Sequence, residues 1–225
     1  MRNKTFISSM AGIAAAVAVA GSASAGVIDA FTVAGTGGNP QPSSPFESRE
    51  LFYGSGMSTA SANAVVNTTN NTLAITRDAS ATGTFAVQWT NWSDGVNPGT
   101  GLDWTGLQSI SFTIASTTGG SLNLTVASMD SNDSMAGRRL RWLNFNVGAG
   151  TTNVVLNVGS TYGGGTFQQE SNFNVSAVNL VQMRVNGGGL FDGTISNFQY
   201  NIVPAPGAAA LLGAAGLVGG RRRKA

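Results

Sequence analysis

The sequence predicts an all-β protein built as an antiparallel β-sandwich, and three observations carry that reading. Short runs of alternating apolar and polar residues recur along the middle of the chain, separated by clusters of Gly, Asn, Ser and Thr. No stretch there sustains the 3.6-residue period of an amphipathic helix, so the crossovers of a parallel sheet are missing. Residues 26–202 are enough chain for one domain with a real core.

The elements follow in order. Val27–Val33, Glu50–Tyr53, Ser58–Val66 and Thr72–Thr76 are the weaker strand candidates. Phe85, Val87 and Trp89 then alternate with Ala86, Gln88 and Thr90, which puts Trp89 on the core side. Ile110, Phe112 and Ile114 form the next strand. Leu122, Leu124 and Val126 follow the turn at Gly119-Gly120. Leu143, Phe145 and Val147 come next, then Val154, Leu156 and Val158, then Val181, Met183 and Val185. Ile195–Tyr200 closes the set. About ten short strands without intervening helices read as a sandwich.

Composition narrows the chemistry. The 225 residues are 42% hydrophobic and only 10% charged, with 31 glycines, no cysteine and no histidine. Disulfides, Cys/His zinc sites and His-based triads are therefore excluded. The sequence pI of about 9.4 suggests nucleic acid, but the excess of basic residues over acids sits at the ends. Arg2 and Lys4 open the chain, and Arg221, Arg222, Arg223 and Lys224 all but close it. Between them lie six arginines (Arg49, Arg77, Arg138, Arg139, Arg141, Arg184), no lysine and all ten acids, a net charge of −4. Such a surface repels a phosphate backbone, and no nucleic-acid partner is expected.

The ends read as addresses. Arg2 and Lys4, the small-residue apolar stretch from Phe6 to Ala20, and Ala23-Ser24-Ala25 make a signal helix with cleavage between Ala25 and Gly26. The last segment, 203–225, holds Val203-Pro204-Ala205-Pro206, an apolar run from Gly207 to Gly220, and Arg221-Arg222-Arg223-Lys224. As a helix that run reaches only ~21 Å against a ~30 Å hydrocarbon core, although its basic end can snorkel. The positive-inside rule keeps the arginines cytoplasmic and the domain outside.

This combination resembles the PEP-CTERM proteins of Gram-negative bacteria. The resemblance rests on the signal, the Val203-Pro204-Ala205-Pro206 motif, the short Ala/Leu/Gly helix and the cluster Arg221, Arg222, Arg223. It implies processing by signal peptidase and by an exosortase, a transient inner-membrane anchor, and an outer-surface or matrix location near exopolysaccharide. Ala205 stands where the family has Glu. The bland alternative is an ordinary tail anchor. The body also resembles, more loosely, the jelly-roll domains common in such proteins and in carbohydrate-binding modules. The residues that carry this are Val27-Ile28-Asp29-Ala30-Phe31, Arg49-Glu50-Leu51 and Asp192–Phe198. That likeness implies one metal option, a structural calcium at Asp29 and Asp192. Asp130-Ser131-Asn132-Asp133-Ser134 is another hard-oxygen cluster, without the glycine or distal Glu of an EF-hand. Otherwise no cofactor is expected, and turn chemistry accounts for loop carboxylates as simply.

Strand parity suggests a ligand face. Trp142 is out of phase with Leu143, Phe145 and Val147, so alternation places it outside with Asn144 and Asn146. Gln182 and Arg184 are out of phase with Val181, Met183 and Val185. If these strands share a sheet, Trp142, Asn144, Gln182 and Arg184 form a polar platform with one aromatic, suited to a polysaccharide. A single β-bulge would reverse the parity. The rival readings are a purely structural surface protein and, with least support, a small carbohydrate-active enzyme. Its carboxylates would come from loops such as Asp94 and Asp103.

Overall fold

The computed structural model describes residues 24–35, 45–54, 57–58, 60–91, 101–129, 135–187 and 189–203. These lie in one compact unit. Its strands are β1 (Ser24–Asp29), β2 (Ser48–Tyr53), β3 (Ala62–Asn67), β4 (Thr72–Arg77), β5 (Phe85–Thr90) and β6 (Leu107–Ser116). They continue as β7 (Gly120–Ala127), β8 (Arg139–Val147), β9 (Gly150–Asn157), β10 (Thr166–Gln169), β11 (Leu180–Asn186) and β12 (Phe191–Ile202). The expected all-β class holds: apart from a single 3-10 turn at Val175–Ala177, every described element is a strand. All the strand pairings are antiparallel.

Two six-stranded sheets make the sandwich. One runs β3-β4-β12-β6-β9, with β1 also on β12, and the other runs β10-β8-β7-β11-β5-β2. The length of β12 explains the side branch. Its first half, Phe191–Ile195, pairs with β4, whereas Phe198–Ile202 pairs with β1. The alternating apolar residues of both sheets meet between them. Trp89 packs edge-on against Phe198 of the opposite sheet at 4.7 Å, and Phe112 meets both Phe198 and Phe145. At the end of the core, Trp104 stacks on Tyr200 at 4.6 Å and takes the edge of Phe46. Burying each such ring removes ~150–250 Å² from water, a gross gain of roughly 4–6 kcal/mol.

Two buried arginines replace what a disulfide would do in tying irregular segments down. Arg49 bonds the Asp29 carboxylate and the carbonyls of Val33 and Gly35, and its guanidinium lies over the Phe31 ring. Asp29 also accepts the Trp89 indole N–H at 2.8 Å and the Phe31 backbone N–H at 2.7 Å. The second bond holds Phe31 at φ +54°, a conformation that bulky residues rarely adopt. Burial lowers the Arg49 pKa from its ordinary value, while the charge and hydrogen bond of Asp29 offset part of this. Arg77 clasps the β11–β12 turn through the carbonyls of Val185, Asn186 and Gly189, and burial lowers its pKa too.

The outward placement of Trp142 is corrected. Trp142 is buried in the core, where its indole N–H donates to the Asn157 carbonyl and its ring packs on Phe167. The cause is a β-bulge. Between Leu122↔Phe145 and Leu124↔Trp142, β7 advances two residues while β8 advances three. Asn144 supplies the needed left-handed backbone at φ +54°. Leu140 and Trp142 therefore face inward before the bulge, Phe145 and Val147 after it, and Leu143 turns outward. A second bulge in β12 uses Asn197 at φ +53° in the same way and brings Phe198 into the core.

At the ends, Ala25 and Gly26 lie inside β1, opposite Asn201 and Tyr200. A Cβ at Gly26 would fall 2.2 Å from the Tyr200 ring, so a larger residue there has to displace that ring. Ala23 and the expected signal helix lie outside the described residues, as do Pro204, Ala205, Pro206, the apolar run and Arg221, Arg222 and Arg223. Val203 is described, and its N–H bonds the Gly106 carbonyl. No helix among the described residues is long and apolar enough to cross a membrane.

Candidate functional site

The outer face of the β11 sheet carries Gln182 and Arg184 among other polar side chains. Antiparallel register sets six polar residues in one row across all six strands. In order from β10 to β2 these are Gln168, Arg141, Thr125, Gln182, Gln88 and Glu50. Most of the row is linked side chain to side chain. Gln88 donates to Glu50 at 3.1 Å, Gln182 donates to Gln88 at 3.1 Å, and Arg141 donates to Gln168 at 3.1 Å. Ser48 donates to the other Glu50 oxygen at 3.0 Å. Gln182 is buried to 1% exposure, which its two bonded ends make tolerable: its amide donates to Gln88 and accepts from Arg184.

The next row reads Thr166, Leu143, Asn123, Arg184, Ala86 and Phe52, with Asn123 opposite the β8 bulge. Phe52 is 42% exposed, an aromatic ring standing free on an edge strand. Ala86, small and buried, separates it from Arg184. Asn186 continues the face and donates to Asn144 at 3.2 Å.

Of the four expected platform residues, Asn144, Gln182 and Arg184 therefore share one face, and Trp142 does not. The ring it was expected to supply is offered by Phe52 instead. Its parity was legible, since Phe52 is out of phase with Leu51 and Tyr53, which pack on the core. What hid it was the short β2 run, in which charged Arg49 sits on the inner side.

The basic residues of the face lie on β8 and β11, with Glu170 just after β10. Glu170 bridges Arg139 at 3.2 Å and Arg141 at 2.7 Å. Arg184 is half-buried, and its pKa is lowered first by burial and then by the charges of Arg139 and Arg141. The three guanidinium groups thus feel one another, with a single carboxylate between two of them.

The expected calcium pair does not assemble. Asp29 is opposite Phe198, whereas Asp192 is opposite Thr76, six residues back along β12. That is roughly 20 Å of strand. Both Asp29 oxygens are already occupied by protein donors. Among the described residues no group of three metal-binding side chains comes together. Asp103 is an exposed turn former whose carboxylate accepts from Thr105, which lowers its pKa. Asp94, Asp130 and Asp133 lie outside the described residues.

No family model matches the chain, and no curated protein matches it. Solved structures do match. The family 11 carbohydrate-binding module from Clostridium thermocellum, in complex with a β-1,3-1,4-mixed-linked tetrasaccharide, does so with a TM-score of 0.51 at 13% identity. The match covers 78% of this chain and 94% of the module. The agarase AgWH50C also matches with a TM-score of 0.51, at 12% identity over 80% of this chain. The chain spans only 25% of that agarase. At such identities the likeness is one of fold: the sandwich is built like a carbohydrate-binding module.

Proposed function

We propose that the chain is an exported, non-enzymatic protein of the bacterial envelope or extracellular matrix that holds a polysaccharide along the outer face of its β11 sheet. The observation that carries this is the row from Gln168 to Glu50, polar side chains in register across six strands, of which Gln168, Arg141, Gln88 and Glu50 reach solvent on the face that also carries the exposed Phe52 ring. Amides and guanidinium groups offer paired donors and acceptors for sugar hydroxyls, and a flat ring offers a stacking surface. Sharing hydrogen bonds along the row fixes the side chains before any ligand arrives, which lowers the entropy cost of binding.

Hydrolysis is disfavoured at this face. Its carboxylates, Glu50 and Glu170, belong to opposite edges of the sheet, roughly 24 Å apart at ~4.8 Å per strand. Paired glycosidase carboxylates stand ~5–9.5 Å apart. Export and exosortase sorting rest on the order of signal, proline motif, apolar run and basic cluster, with exopolysaccharide as the expected partner.

A glycan array read beside isothermal titration tests the binding. Phe52→Ala should keep the wild-type fold and lose at least about tenfold in glycan affinity, as removal of a stacking ring would. Binding untouched by Phe52→Ala and Gln88→Ala would refute the assigned face, and failure to bind any glycan would leave the purely structural reading. Intact-mass measurement tests the sorting. The mature protein should begin at Gly26 and lack the tail from about Val203, and a mature form that keeps Arg221–Lys224 would refute exosortase cleavage.

A further inference from the structure

The binding face is electrically lopsided. Toward β10 it carries Arg139, Arg141 and Arg184 against the single carboxylate of Glu170. The Arg141 Nε–H is buried and has no hydrogen-bond partner. Arg184 makes one hydrogen bond through Nε, to the neutral amide of Gln182, and among the described residues it has no ion pair. A half-buried guanidinium whose charge no carboxylate offsets, close to two like charges, is costly to hold. An arriving anion would relieve the repulsion. A neutral sugar would supply hydroxyls but would not relieve the charge.

We infer that the polysaccharide is acidic, with a carboxylate or sulfate group seated between Arg141 and Arg184 while the chain continues over Gln182 and Gln88 toward Phe52. This rests on the proposed glycan face and specifies its ligand. The register supports the spacing. Arg141 is opposite Thr125 and Arg184 is opposite Asn123, so the two arginines stand on the strands either side of β7, two residues apart in register. Arginine forks match planar carboxylate and sulfate oxygens two at a time, so the seat selects for charge and shape. The opposite edge, with Glu50, repels the same group and so sets the direction in which the ligand lies.

The test measures affinity of the purified full chain for three probes: polygalacturonate (carboxylate), ι-carrageenan (sulfate) and a neutral mixed-linkage β-glucan. Each is measured at 50 and 500 mM NaCl. At least one acidic probe should bind about tenfold or more tighter than the neutral glucan, with most of the advantage gone at high salt. The acidic probe that binds better names the anionic group. Arg184→Gln should weaken the acidic probe about tenfold more than it weakens the neutral glucan, so that the acidic preference is lost, with an unchanged melting temperature confirming the fold. Should Arg184→Gln unfold the protein, Arg141→Gln gives the same readout from the other side of the seat. Equal binding of acidic and neutral probes would overturn the anionic seat and leave the glycan face standing. Acidic binding that survives both substitutions would likewise overturn the seat. Binding of none of the three probes would overturn both.

Discussion

The Arg49 guanidinium meets the Asp29 carboxylate at 2.5 Å with both side chains wholly removed from solvent. The pair joins β1 to β2, and through the Trp89 indole it reaches β5. Removing one partner leaves the other charge buried and alone. Asp29→Ala is expected to cost ~3–5 kcal/mol in urea unfolding. The double variant Asp29→Leu/Arg49→Met should lose less than Asp29→Leu and Arg49→Met measured singly and summed, because neither charge is then stranded. Strict additivity would mean the pair is not coupled.

Asn144 should tolerate glycine and resist a β-branched residue. Its φ of +54° suits Asn and Gly and strains valine. Asn144→Gly is expected within about 0.5 kcal/mol of wild type, and Asn144→Val to lose ~1–3 kcal/mol. Urea midpoints would show it, and equal stability of the two variants would contradict the bulge.

Trp142→Ala should behave as a core deletion. The ring is 1% exposed, packs on Phe167 and donates to Asn157. A loss of ~3–5 kcal/mol is expected. A change under about 1 kcal/mol with a large loss of glycan binding would restore the outward placement.

Arg77→Lys tests the clasp on the β11–β12 turn. A single ammonium cannot reproduce the fork that bonds three carbonyls. Losing charged hydrogen bonds of ~1.5–3 kcal/mol each should speed local opening. Hydrogen exchange at Gly187, Gly189 and Leu190 should quicken more than at Val126 or Met183. A uniform change across the sheet would instead indicate global destabilisation.

Periodicity made most strands readable, because Phe85–Trp89 or Ile110–Ile114 must alternate if one face is buried. It could not reveal β10, whose four residues, Thr166–Gln169, are mainly polar and take their place from pairing with β8. Nor could parity follow β8 through its bulge, since an Asn in a strand does not announce a left-handed backbone. Gln182 and Arg184 lie beyond any bulge in β11, so the same parity rule placed them correctly. Phe52 shows a different limit. The inward Arg49 breaks the apolar alternation of β2, and only the distant carboxylate of Asp29 makes that charge admissible in the core.

The pairing of β1 with the end of β12 has a mechanical consequence. Ser24 lies opposite Ile202, so the two ends of the described domain leave side by side from one end of a single strand pair. Force applied between them loads the rungs one after another, as in opening a zipper, rather than all at once in shear. Pulling on Ser24 and Ile202 would thus peel β1 away from Tyr200 at little force. A load entering through the outer face of the other sheet would meet the whole sandwich.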